Sequence, residues 1–125
     1  MAGKKRVLDV GNCSLDHGNI STMLEREFGA EVRQTHLADD TLAELRKGKF
    51  DLVLINRKLD ADYSDGMEVI EQIKADPKLA NLPCMLITNY PDQQQLAVAA
   101  GAEYGFGKKE LHTPDTRSRL AKFLQ

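Results

Sequence analysis

The 125-residue sequence contains few of the residues that mark specialised protein classes: it has no tryptophan, two cysteines and four prolines. Cys13 and Cys84 lie far apart and form no CxxC pattern. This spacing argues against a disulfide framework and favours reduced thiols in a cytoplasmic protein. No apolar run approaches the roughly 20 residues of a membrane-spanning helix, and the apolar run near the N-terminus is too short for a signal peptide.

Excess basic charge is also missing, because 17 basic residues face 19 acidic ones. The sequence therefore predicts neither a nucleic-acid surface nor a membrane-binding patch. Three scattered histidines, His17, His36 and His112, form no ligand pattern, and we expect them at the surface. The Asp-rich segment 60–65 lacks the glycine and glutamate of a calcium-binding loop, so turn formation explains its aspartates and we expect no metal there.

Short apolar runs do occur, and they alternate with segments of helical periodicity five times along the chain. The clearest run, residues 52–55 (LVLI), is typical of a strand that is buried on both faces. The predicted strands are Arg6–Val10, 30–35, 51–55, 82–88 and Glu103–Phe106. This alternation predicts an α/β fold, a flavodoxin-like (βα)5 three-layer sandwich with a parallel sheet in the order 2-1-3-4-5. The length fits one domain, so we expect residues 1–125 to form a single stand-alone unit.

Functional residues of such sheets lie at the carboxyl ends of the strands, here in the crevice between strands one and three. Those ends carry Gly11, Asn12 and Asn56. Asn56 is an amide, and its simplest interpretation is a side chain that hydrogen-bonds the neighbouring loops. Asp9 lies inside an apolar strand and requires a partner, because burying an unpaired carboxylate is costly.

Three segments of this pattern resemble the CheY-like receiver domain of two-component response regulators. They are DLVLIN with the later Asp65-Gly66 pair, LPCMLIT ending in Thr88, and AGAEYGFGK ending in Lys108. The resemblance implies a middle strand that ends in an aspartate, which accepts a phosphoryl group from a histidine kinase. It also implies two acidic residues after strand one that hold Mg²⁺, a Thr or Ser and a Lys that bind the phosphoryl oxygens, and a switch aromatic three residues before that Lys.

Compared with that pattern, Thr88 and Lys108 are retained and the other positions are altered. Asn56 stands at the phospho-acceptor position, and Gly105 stands at the position of the switch aromatic. Gly11 and Asn12 replace the acidic pair. Because phosphoryl transfer requires an anionic nucleophile and a neutralising cation, we expect the pocket to be degenerate, with no catalytic residue and with Mg²⁺ binding lost.

We therefore expect a receiver-like signalling module that acts by phosphorylation-independent protein–protein interaction. The resemblance implies that the partner, a kinase, regulator or effector, binds the face formed by helix 4, strand 5 and helix 5. The candidate anchors there are Tyr90, Tyr104 and Phe106. Two alternatives stay open: a genuine phosphorelay receiver, and a flavodoxin-like small-ligand binder, although the segment after strand one lacks the glycine spacing of a phosphate-cradling loop.

Two further expectations concern side-chain environments. Lys108 needs an acceptor, for which Asn56, Asp9 or a loop carbonyl could serve. In helix 4, Leu96, Ala99 and Ala100 are expected to form the buried stripe, and glutamines 93–95 are expected to form an exposed face.

Overall fold

The computed structural model describes residues 3–125, which form five strands and five α-helices in alternation. Their bounds are β1 Arg6–Val10, α1 Ser14–Phe28, β2 Glu31–Thr35, α2 Ala38–Lys47, β3 Leu52–Asn56, α3 Gly66–Ala75, β4 Cys84–Ile87, α4 Pro91–Ala99, β5 Glu103–Phe106 and α5 Pro114–Leu124. A short 3-10 helix, Lys108–Glu110, follows β5. Within this described range, no helix is both long and apolar enough to cross a bilayer.

The five strands form one parallel sheet in the order β2-β1-β3-β4-β5, as the sequence predicts. The central strand β3 lies between β1 and β4, and its first four residues are fully buried. Because all strands run in one direction, their carboxyl ends meet at one edge of the sheet. Asn56, the last residue of β3, stands at that edge.

The core consists of two apolar clusters, one on each face of the sheet. The residues of β1, β3 and β4 are divided between the two clusters, which is why these inner strands are mostly apolar in sequence. Phe106 belongs to the cluster that also contains Ile87, Leu111 and Leu120, and only 1% of it is exposed. The expectation that Phe106 anchors a partner is therefore wrong, because its ring is already packed inside the protein.

Helix α4 faces the sheet with a different side from the one expected. Gln94 is 2% exposed, whereas Leu96 is 55% exposed. The amide of Gln94 explains this rotation: Nε2 donates to the carbonyl of Leu86 in β4 (2.9 Å), and Oε1 accepts from the amide of Gly105 in β5 (2.8 Å). The ladder between β4 and β5 is irregular at this point, so one glutamine side chain supplies hydrogen bonds that a regular ladder would have made.

Candidate functional site

Asn56 joins two loops at the carboxyl edge of the sheet. Its Nδ2 donates to the carbonyl of Lys58 (2.7 Å) and to the carbonyl of Gly11 (3.3 Å). Both bonds engage the amide nitrogen, which an aspartate would not possess. The expectation that Asn56 hydrogen-bonds the neighbouring loops is confirmed.

The β3–α3 loop (residues 57–65) folds back over the end of β1. Leu59 in this loop is 1% exposed and packs against the core, and the amide of Asp60 donates to the carbonyl of Gly11 (3.0 Å). Gly11 has φ +76°, and a Cβ there would lie 2.5 Å from Leu59 Cδ2 and 3.0 Å from its Cα. A leucine therefore occupies the space that a side chain at position 11 would need.

Asp9 is fully buried in β1, and two side chains engage its carboxyl group. Asn12 Nδ2 donates to one carboxyl oxygen, and His17 Nδ1 lies 2.8 Å from the other. Burial raises the pKa of Asp9 above its ordinary value, while the bonds from His17 and Asn12 oppose this rise. His17 is thus a partner of a buried acid, and the expectation of a plain surface histidine is wrong.

Lys108 forms an ion pair with Asp16, whereas the sequence predicts Asn56, Asp9 or a loop carbonyl as its acceptor. Their Nζ and Oδ2 atoms are 2.7 Å apart, and this hydrogen bond holds the pKa of Asp16 below its usual value. Cys13 Sγ also donates to the same oxygen, at 3.3 Å. One signal could have identified Asp16: it lies in the first turn of α1, and a helix that follows β1 starts beside the strand ends where Lys108 lies.

The structure brings Asn56, Thr88 and Lys108 together around one shallow pocket of about 190 Å³. The remaining lining residues are Arg57, Lys58, Ile87, Asn89 and Tyr90. Thr88 is nearly buried, and its Oγ1 accepts from the amide of Tyr90 (3.3 Å). Gly11 and Asn12 do not line this pocket, although Asn56 in its wall donates to the carbonyl of Gly11.

Gly105 is buried where β5 passes β4, and a Cβ there would collide with the carbonyl oxygen of Leu86. An aromatic side chain has no room at this position. The neighbouring Tyr104 is 42% exposed and lies under the guanidinium of Arg119, 4.9 Å from its ring centroid. Tyr90, at the start of α4, is 61% exposed.

The residues at this edge do not fit a Mg²⁺ site. Magnesium prefers octahedral oxygen ligands that usually include one or two carboxylates. Here Gly11 supplies no side chain and is covered by Leu59, while the carboxyl group of Asp9 is engaged by Asn12 and His17. No group of three or more His, Cys, Asp or Glu side chains suited to a metal ion occurs among the described residues.

A five-stranded parallel sheet in the order 2-1-3-4-5, flanked by helices, defines the flavodoxin-like class, and comparison with known proteins identifies the family within it. The response regulator receiver domain family matches residues 15–120, and the chain belongs to this family. It is therefore a receiver-domain signalling module of the two-component type. The match begins after β1, so Gly11 and Asn12 lie outside it.

Individual proteins are similar to this chain in sequence or in fold. The chemotaxis protein CheY-3 of Vibrio cholerae is 29% identical over 106 residues, which cover 82% of this chain and 78% of that protein. Among solved structures, the chemotaxis response regulator CheY4 of Vibrio cholerae has a TM-score of 0.72 at 22% identity and covers 98% of both chains. The phosphorylated cyanobacterial phytochrome response regulator RcpA has a TM-score of 0.78 at 19% identity, with coverage of 98% and 96%.

Proposed function

We propose that this receiver signals by protein–protein contact and is not phosphorylated at the end of β3. The observation that carries the proposal is the state of Asn56, a neutral amide whose Nδ2 is hydrogen-bonded to two loop carbonyls. Acceptance of a phosphoryl group requires an anionic oxygen, which an amide does not offer. The chain would accordingly serve as a binding module rather than as an enzyme.

Loss of Mg²⁺ binding is part of the same proposal. The cation's role in phosphoryl transfer is to neutralise charge on the phosphoryl oxygens. The packing of Leu59 over Gly11 supports the loss, because it fills the position from which a carboxylate ligand would otherwise project. Both cysteines are free thiols, as expected in a reducing compartment, and we include a cytoplasmic location in the proposal.

The partner is proposed to be another signalling protein, a kinase, regulator or effector, bound at the face of α4, β5 and α5. Tyr90 and Tyr104 support this choice, since both are large and exposed and tyrosine is a frequent hot-spot residue. We expect this face to have one dominant conformation, because the side-chain amide of Gln94 hydrogen-bonds α4 to the backbone of both β4 and β5. No phosphoryl group is required to select that arrangement.

We expect no covalent phosphate on the protein after incubation with a small phosphodonor and Mg²⁺. Intact-mass spectrometry should return the unmodified mass. The Asn56→Asp variant restores only the carboxylate at the end of β3. We expect it to be labelled poorly as well, because Gly11 and Asn12 still supply no charge for the cation. An alkali-labile phosphate adduct on the unaltered protein would contradict the proposal.

Truncation of Tyr104 should weaken partner binding by at least about 1 kcal/mol, the usual hot-spot threshold. The partner would be captured from the native cell and its affinity then measured by calorimetry with the purified proteins. Tyr63→Ala serves as the matched control, because Tyr63 is 78% exposed but lies in the β3–α3 loop and belongs to none of α4, β5 and α5. If Tyr63→Ala loses the partner while Tyr104→Ala keeps it, the carboxyl edge of the sheet is the binding surface instead.

A further inference from the structure

A groove lies at the amino edge of the sheet, between α2 and the α3–β4 connection, and none of α4, β5 and α5 lines it. It has two connected halves of about 540 Å³ and about 300 Å³, which share Leu45, Lys78 and Leu79. Both leucines belong to the core, and Phe50 and Leu82 extend this apolar lining in the smaller half. The volume is in the range of pockets that hold ligands.

The rim of this groove carries positive charge that the protein itself does not neutralise. Lys49 and Lys78 are exposed, and neither forms an ion pair with any of residues 3–125. The acidic residues of the lining are already engaged: Asp76 contacts Arg46 (3.4 Å), and Asp51 accepts a hydrogen bond from a backbone amide (2.8 Å). The groove therefore suits a segment that combines an apolar side chain with carboxylates.

The chain carries a segment of this composition in its own β3–α3 loop. Tyr63 is 78% exposed, and the exposed Asp62 precedes it directly. Asp60 and Asp65 lie on either side of this pair in the sequence, so the tip of the loop is acidic. Hydrogen bonds from Ser64 lower the pKa of Asp62, which is therefore ionised at neutral pH. The loop thus presents an aromatic ring surrounded by carboxylates.

The backbone of the loop holds Tyr63 in a defined position. Its φ of 58° lies in the left-handed region, which is uncommon for a bulky residue. The amide of Tyr63 donates to the carbonyl of Leu59 (2.8 Å), and the amide of Leu59 donates to the carbonyl of Ser64 (2.9 Å). Because Leu59 is packed in the core, this turn is anchored, and docking it against another surface would cost little conformational entropy.

We propose that the β3–α3 loop of one copy of this protein docks into the groove of a second copy. Tyr63 enters the apolar lining, and Asp62 lies near the ammonium group of Lys78. The loop follows β3 and the groove includes the residues that precede it, so every copy can both give a loop and receive one. Such an exchange forms either a two-fold dimer or a head-to-tail chain. This self-association is separate from the contact with a signalling partner at α4, β5 and α5.

Sedimentation equilibrium at low ionic strength, from about 10 µM to about 1 mM protein, measures the self-association. A contact of this small size belongs to the weak, transient class, so we expect a dissociation constant on the order of 100 µM. Tyr63→Ala should weaken the association by at least about tenfold, since it removes the aromatic anchor. Tyr104→Ala is the matched control: it truncates an exposed tyrosine of another face and should change the affinity by less than about twofold.

Lys78→Glu tests the groove in the same assay. It places a like charge opposite Asp62 and should weaken the association by at least about fivefold. Lys109→Glu reverses the charge of an exposed lysine outside the groove and should leave the affinity unchanged. Tyr63→Ala keeps an intact groove and Lys78→Glu keeps an intact loop, so a mixture of these two variants should associate more tightly than either variant does alone.

A monomer throughout the concentration range, an equal loss in Tyr104→Ala, or no recovery in the mixture would overturn the inference. A peptide with the sequence of residues 58–67, titrated into the protein and followed by amide NMR, tests the other occupant. If the peptide shifts the groove resonances while the protein stays monomeric, the groove takes an acidic segment of a different protein, and self-association is wrong. None of these outcomes depends on phosphoryl labelling, so the proposed function is tested separately.

Discussion

Gly105→Ala should lower the free energy of unfolding by about 3 kcal/mol, at the upper end of the usual cost of overpacking. The added Cβ would collide with the carbonyl oxygen of Leu86 and would lie 3.2 Å from Met85 Cβ and 3.3 Å from Gln94 Oε1. The first of these atoms is backbone in the middle of the sheet and cannot rotate away. Separating β5 from β4 to relieve the collision would break the hydrogen bonds of Gln94. Urea denaturation would measure the change.

Gly18→Ala is the control for this substitution. Gly18 lies within α1, and a Cβ there would meet nothing within 4 Å. Alanine should stabilise this position by up to about 1 kcal/mol, because it has the higher helix propensity. Equal stability of Gly105→Ala and the unaltered protein would show that β5 can move relative to β4. The proposal that the face of α4, β5 and α5 has one dominant conformation would then be wrong.

A second large effect is expected from Gly11→Asp, the change that would return half of the family's acidic pair. The backbone at Gly11 has φ +76°, which costs a non-glycine residue roughly 1–2 kcal/mol. The new side chain would also have to displace Leu59, whose Cδ2 would lie 2.5 Å from the added Cβ. We expect a total loss of about 3 kcal/mol, measured by urea denaturation.

A double-mutant cycle with Leu59→Ala separates these two causes. Leu59→Ala alone should cost about 2–5 kcal/mol, because it opens a cavity in the core. Combined with Gly11→Asp, the total should be smaller than the sum of the single losses by at least about 1 kcal/mol, since the cavity admits the new side chain. Additive losses would mean that backbone strain alone opposes a carboxylate at position 11.

Much of the fold could be predicted from the sequence because the inner strands β1, β3 and β4 are buried on both faces. Such strands are apolar runs interrupted by few polar residues. The predicted bounds of β1, and also those of the partly exposed edge strand β5, match the structure. The position of Asn56 follows from the same reasoning, since the run 52–55 ends directly before it. The order of the strands follows from the regular alternation with helices, which leaves few topologies open.

The hydrogen-bond partners of the buried polar side chains could not be predicted, because they depend on distant parts of the chain or on side chains that break the periodic pattern. Gln94 is polar yet faces the sheet, because it satisfies backbone groups in a gap of the β4–β5 ladder that no periodicity reveals. His17 lies on a helix that reads as amphipathic, and only the buried Asp9 explains its position. The environment of Phe106 is not predictable from the sequence either, because an aromatic side chain suits a surface hot spot as well as a core.

The contact between Asp16 and Lys108 has a consequence for the order in which the protein folds. It joins two residues 92 positions apart, one at the start of α1 and the other just after the last strand. The two side chains can meet only when β1, β3, β4 and β5 are already aligned, so we expect the contact to form after the rate-limiting step. The ion pair would then slow unfolding and leave the rate of folding almost unchanged. It would therefore connect the first and last βα units of the chain only after the sheet has formed.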